Sequence, residues 1–179
     1  MCKLVTGNAT RVLARAAMLV LLVTAAYGMS PAHSEESDTQ AIKDLIANYA
    51  AALNAEPINM KLLSQVWLNS PEDSFIHPLG HEHGWEQIKQ NLYENIMEKL
   101  FSERKLTVRE INIHAYGDAA WSEFYWHFVA KSRQGGSTVE TNGRETQIYR
   151  KLDDGRWALV HVHYSGMPPA PNRPSSSTQ

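Results

Sequence analysis

The chain carries 179 residues, with 17 Lys or Arg against 19 Asp or Glu and a single cysteine. That length fits one domain of ordinary size. A net charge of −2 supplies no basic face for nucleic acid, and a lone cysteine cannot build a disulfide framework.

The N-terminus reads as an export signal. Lys3, Arg11 and Arg15 precede the apolar run Ala16 to Tyr27, and Ser30 and Ala32 give the small-residue spacing that a signal peptidase accepts. The run is shorter than the ~20 apolar residues that span a bilayer. Residues 1–32 are therefore predicted to be a signal peptide, with a membrane-anchored N-terminus as the rival reading. Cleavage predicts a periplasmic or secreted protein that is free of the membrane. It also removes Cys2 and three basic residues, which leaves 14 basic against 19 acidic side chains and a net charge near −5.

The domain itself is predicted over residues 38–168. From Asp38 the apolar positions Ile42, Leu45, Ile46, Tyr49 and Leu53 recur at helical steps, with Ser37 or Asp38 placed to cap the start. After a break at Glu56-Pro57 comes a short second helix, "NMKLLSQVW". A turn-rich stretch holding one short strand, Phe75 to His77, leads to a third helix with the stripe Trp85, Ile88, Leu92, Ile96 and Leu100. Four long strands follow, separated by "GD", "RQGGS" and "DDG", all hairpin-turn chemistry. In the first of them Leu106 and Val108 share one parity, while Ile111 and Ile113 share the other. That slip predicts a β-bulge near Arg109-Glu110, which bends a sheet. Helices followed by such a meander give an α+β domain, a curved antiparallel sheet wrapped against three N-terminal helices around a conical pocket. Residues 169–179 have no apolar period and read as a disordered tail.

The end of the chain, "GRETQIYRKLDDGRWALVHVHYSGMPPAP", resembles the end of the association (hub) domain of calcium/calmodulin-dependent protein kinase II. "HAYGDAAWSEFYW" is similar to a hairpin of the same domain. That domain belongs to the nuclear transport factor 2-like superfamily, with SnoaL-like cyclases and ketosteroid isomerases. The resemblance implies a cone with a pocket at its wide end and self-association, as a homodimer, through the sheet. Where the hub pocket has arginines, this chain has Gln147, Tyr164 and, near the third position, Trp126; a helix histidine becomes Ile88. The implied pocket is less cationic and more aromatic, suited to a small, partly apolar ligand.

Two histidine groups need placing. His161 and His163 share a parity of the last strand and could be metal ligands, bases or members of a sheet face. The resemblance turns Val160, Val162 and Tyr164 toward the pocket, which sends both imidazoles to the outer face. His77, His81 and His83 lie on a turn; three imidazoles can gather a transition metal, but turn histidines are often simply solvated, and no metal is expected. His77 closes the short strand that runs beside the pocket mouth in the superfamily. An enzyme of the isomerase, cyclase or dehydratase kind would use His77 with Tyr49 or Tyr164 as proton carriers. Glu123, paired with His127, is a further candidate base if its parity faces inward. No phosphate-binding glycine loop or nucleophile elbow is present, and no cofactor is expected.

Overall fold

A computed structural model describes residues 31–167, with the side chains of 31–34 left aside. The predicted leader (1–32), apart from the backbone of its last two residues, and the predicted tail (169–179) lie outside the described residues. Among those described, no helix is long and apolar enough to cross a membrane. Of the described residues, 35–167 make up one unit.

Helix α1 (Pro31–Asn54) buries the expected stripe, with Ile42, Ile46, Tyr49 and Leu53 all in the core. It starts earlier than Ser37, so neither Ser37 nor Asp38 is its cap. Asp38 instead receives the Lys151 Nζ at 2.7 Å and the Trp157 Nε1–H at 3.0 Å, which ties the helix to the last hairpin. Helix α2 (Met60–Val66) is capped by Asn59, whose side chain accepts the Leu62 N–H. The third helix begins as α3 (Trp85–Gln87) and continues as a π-helical segment, Ile88–Glu98. Its apolar residues fall at steps of four and five, and the wider turn brings Leu92, Tyr93, Ile96 and Met97 to one inward side.

The sheet has six strands in the order β2-β1-β6-β5-β4-β3. These are β1 (Ser74–His77), β2 (Gly80–His83), β3 (Phe101–Tyr116), β4 (Ala119–Ser132), β5 (Thr138–Lys151) and β6 (Trp157–Gly166). All pairings are antiparallel except β1 with β6, which run parallel, so the sheet is mixed. Strand β2, "GHEH", carries no apolar alternation and was not expected; it forms by pairing with β1.

Three irregularities curve the sheet. The register of β3 against β4 slips between Arg109 and Asn112, with Glu110 at φ 56°, at the predicted bulge. A second slip between Ser102 and Lys105, with Glu103 at φ 49°, turns Arg104 into the interior. A third lies in β6, where Ile148 pairs with His161 but Tyr149 pairs with Leu159, leaving Val160 as the extra residue. Opposite Trp126, Gly143 allows a close approach: a Cβ there would lie 2.0 Å from the Ser165 carbonyl and 2.5 Å from the indole.

Candidate functional site

The helices and the inner face of the sheet enclose a cavity of about 250 Å³. Its walls are mostly apolar, supplied by Leu53, Phe75, Leu92, Ile96, Met97 and Phe128 among others. Seven polar side chains interrupt them: Tyr49 from α1, His77 from β1, Tyr93 from the π-helical segment, Trp126 from β4, Thr141 and Glu145 from β5 and Tyr164 from β6.

Glu145 is the acid of this cavity. Burial, only partly offset by one hydrogen bond from Gln147, pushes its carboxyl up to about 8. Near neutral pH it is therefore mainly the uncharged acid, able to donate a hydrogen bond. The phenols stay protonated as well, because burial and the nearby Glu145 carboxyl raise Tyr49 and Tyr164, and burial raises Tyr93. The Tyr93 oxygen accepts the Trp67 Nε1–H at 3.0 Å, which fixes its ring.

Two further side chains of the lining carry a ring N–H without a hydrogen bond. Trp126 is buried and its Nε1–H has no hydrogen-bond partner. His77 accepts the Leu79 N–H on Nδ1, which leaves the proton on Nε2, and that atom is also buried without a hydrogen bond. The nearest acceptor, Glu82 Oε1, is 3.5 Å away. The rings lock one another: His77 stacks on Tyr164 at 6.3 Å, and Trp126 meets Tyr164 edge-on at 5.5 Å. The arrangement is a mostly apolar chamber with several donors, one weak acid and no Lys or Arg in its lining. It is built to hold a small neutral molecule by an acceptor atom, or to lend that molecule a proton.

The sequence matches the SnoaL-like domain family over residues 42–170. This chain belongs to the SnoaL-like family. Solved structures share its fold. A nuclear transport factor 2-like superfamily protein from Salmonella enterica serovar Typhimurium is 42% identical, with a TM-score of 0.71, covering 78% of this chain and 99% of that one. A cystatin-like-fold protein from Caulobacter vibrioides is 20% identical, with a TM-score of 0.61, covering 74% of this chain and 92% of that one. A hexachlorocyclohexane dehydrochlorinase from Novosphingobium barchaimii is 13% identical, with a TM-score of 0.66, covering 75% and 90%; at that distance the likeness concerns the fold alone. Among curated proteins, none matches.

Within this SnoaL-like domain, the structure brings Tyr49, His77, Trp126 and Tyr164 to the cavity. Ile88 and Gln147 do not line it. Ile88 is fully buried as the first residue of the π-helical segment and serves packing. Gln147 lies one step behind the cavity wall, beneath Glu145. Glu123 is not in the cavity either: its parity faces outward, where it pairs across from Asn112 and Thr146 and lines a polar groove with Arg144 and His163. Its expected partner His127 is bound instead by Glu140 at 2.8 Å.

The final strand also needs one correction. Val162 and Tyr164 face inward, but Val160 does not share their side, because the bulge at that residue puts Leu159 and Trp157 on the inner face before it. His161 and His163 both point outward. His161 Nδ1 lies 2.6 Å from the Ser74 hydroxyl on the neighbouring strand, and burial, together with His163 and His81, holds its pKa below the usual imidazole range. The rings of His81 and His83 are 3.9 Å apart, yet among the described residues no three His, Cys, Asp or Glu side chains gather as a metal site would require.

Glu145, Tyr93 and Asp73 carry no sequence expectation. Asp73 is structural, since it accepts the Ser70 N–H at 3.0 Å while its own N–H returns to the Ser70 carbonyl. Burial raises its carboxyl to about 6. The signal for Glu145 was present in "ETQIY": if Gln147 turns inward, strand alternation takes Glu145 and Tyr149 with it.

Proposed function

We propose that this domain is an exported, small-molecule-binding SnoaL-like module. Its ligand is compact and largely apolar, and carries a neutral acceptor such as a carbonyl oxygen, held by the Glu145 O–H and the free N–H groups of Trp126 and His77. The observation that carries this reading is Glu145, an acid kept uncharged by an apolar site so that it can donate. The basic and apolar start of the chain supports export. Exposed Ile148 beside Trp121 on the outer face, next to the polar groove with Glu123 and Arg144, supports pairing with a second copy through the sheet.

The test is a thermal-shift and calorimetric screen of small cyclic ketones and related neutral compounds against the full chain. Binding should weaken as pH rises through about 8, because the ionised carboxylate repels an acceptor. Glu145→Gln, which keeps a donor, should retain binding and lose the pH dependence. Glu145→Leu should lose about tenfold or more in affinity, the worth of one hydrogen bond to a buried polar group. Binding that ignores both substitutions rejects the reading.

The same carboxyl favours a second reading, an isomerase- or dehydratase-type enzyme in which Glu145 exchanges a proton with the substrate. An acid whose pKa lies near the working pH suits that task, and His77 and Tyr164 line the same cavity as further proton carriers. Turnover that disappears in Glu145→Gln while binding survives would select it.

A further inference from the structure

Behind the cavity wall lies a file of buried polar side chains that packing alone does not require. Ser122 on β4 pairs directly across from Gln147 on β5, and Glu145, Gln147 and Tyr149 share the inward parity of β5. All four side chains are in the core. The Gln147 Nε2–H donates to Glu145 Oε1 at 2.6 Å. The Tyr149 hydroxyl donates to Gln147 Oε1, and the Ser122 hydroxyl sits 3.0 Å from the Tyr149 oxygen.

The donors run in one direction. Tyr149 gives its proton to Gln147, so its oxygen must accept from Ser122. Gln147 receives on its oxygen, so its amide N–H groups must face Glu145. Each bond therefore dictates the next, from Ser122 to the cavity. At the end of the file Glu145 Oε1 is occupied by an N–H, and Gln147 is the hydrogen-bond partner of this carboxyl. A proton on Oε1 would collide with that N–H. It must sit on the other oxygen, Oε2.

We propose that Ser122, Tyr149 and Gln147 are positioning residues that fix the proton of Glu145 on Oε2 and present that O–H to the cavity. The polar groups that line the cavity with Glu145 from the other elements are Tyr49, Tyr93, Tyr164, His77 and Trp126, and no Lys or Arg is among them; Glu110, Glu123, Arg144 and His163 line the groove on the outer side, which Glu145 also borders. A hydrogen-bonded file of this kind is no stronger than apolar residues of the same shape would be, so its place in a core is explained by what it orients. This inference rests on Glu145 as the working acid of the proposed site, but its test needs no ligand.

The measurement is an isotope-edited infrared titration of the full chain with labelled glutamate, using Glu145→Gln as the blank. Gln147→Met removes the N–H that favours the carboxylate, so the Glu145 midpoint should move up by roughly one pH unit. Tyr149→Phe lets the Gln147 amide turn over and offer its oxygen instead. The Glu145 midpoint should again rise, and its carboxyl band should shift as the O–H turns from the cavity to Gln147. Ser122→Ala should give the same change, smaller. An unmoved midpoint and band in Tyr149→Phe, with the circular dichroism of the native fold, overturns the proposal. Shifts in the expected order support it, whatever Glu145→Leu does to ligand binding; indifference there would reject the binding reading alone.

Discussion

Arg104 and Glu145 are both buried in this domain, and their surroundings differ sharply. Arg104, turned inward by the first bulge of β3, spends its guanidinium on the carbonyls of Leu53, Ala55, Met97 and Phe101 and on Glu98 Oε2. Glu56 adds a carboxylate at 3.0 Å. Every donor has an acceptor, and those acceptors belong to the ends of α1 and the π-helical segment and to the start of β3. Glu145 has a single partner, Gln147, in a cavity with no Lys or Arg in its lining. A saturated buried charge holds elements together, whereas an undersupplied one is left to meet something from outside. Burial alone therefore does not separate Glu145 from Arg104; an unmet bond facing the cavity does.

The largest expected effect is on the saturated side. Arg104→Met should destabilise the domain by about 3–5 kcal/mol, because four backbone carbonyls and Glu98 would be stranded. Urea unfolding followed by circular dichroism measures it, and a loss below about 1 kcal/mol would contradict the role given to this arginine.

The undersupplied side should show itself through pH. The Glu145 carboxyl titrates at about 8 when folded, against 4.5 ordinarily, so the folded state keeps a proton that the unfolded state has already lost. Stability therefore falls as pH rises through that window, by up to about 1.4 kcal/mol per pH unit. Asp73, raised to about 6, adds to the fall at lower pH. His161 acts oppositely below its ordinary 6.5, since its folded form resists protonation. The clean interval thus lies between about 6.5 and about 8. Melting temperature should decline across it in the parent chain and stay level in Glu145→Gln; parallel profiles would show that Glu145 titrates normally.

The contrast between the two groups also explains what the sequence could reveal. Apolar periods exposed α1, α2 and the third helix, and the turn dipeptides separated the long strands. The bulge at Glu110 was legible because the parity of its own strand slips there. The parallel β1–β6 pair, the strand Gly80–His83 and the bulge at Val160 were not, because each depends on a partner strand distant in sequence. For the cavity, resemblance led to the positions of lost arginines, and two of these, Trp126 and Tyr164, face the hollow. It stopped at Gln147 without following the alternation one step back to Glu145. Arg104 was invisible for a related reason: only the slip between Ser102 and Lys105 turns it inward.

The smallest expected effect tests the division between the two faces of the sheet. Glu123 is, like Glu145, a glutamate on a central strand, but it is exposed on the outer side. Glu123→Gln removes one solvated charge and uncovers no buried group. Stability should change by no more than about 0.5 kcal/mol, and the slope of melting temperature against pH should match the parent. The ligand-induced thermal shift should also be unchanged, a readout that an altered contact between two copies would not imitate. A lost ligand shift in this variant would place the reactive face of the sheet on the outside, and Glu145 would then be only a costly core residue.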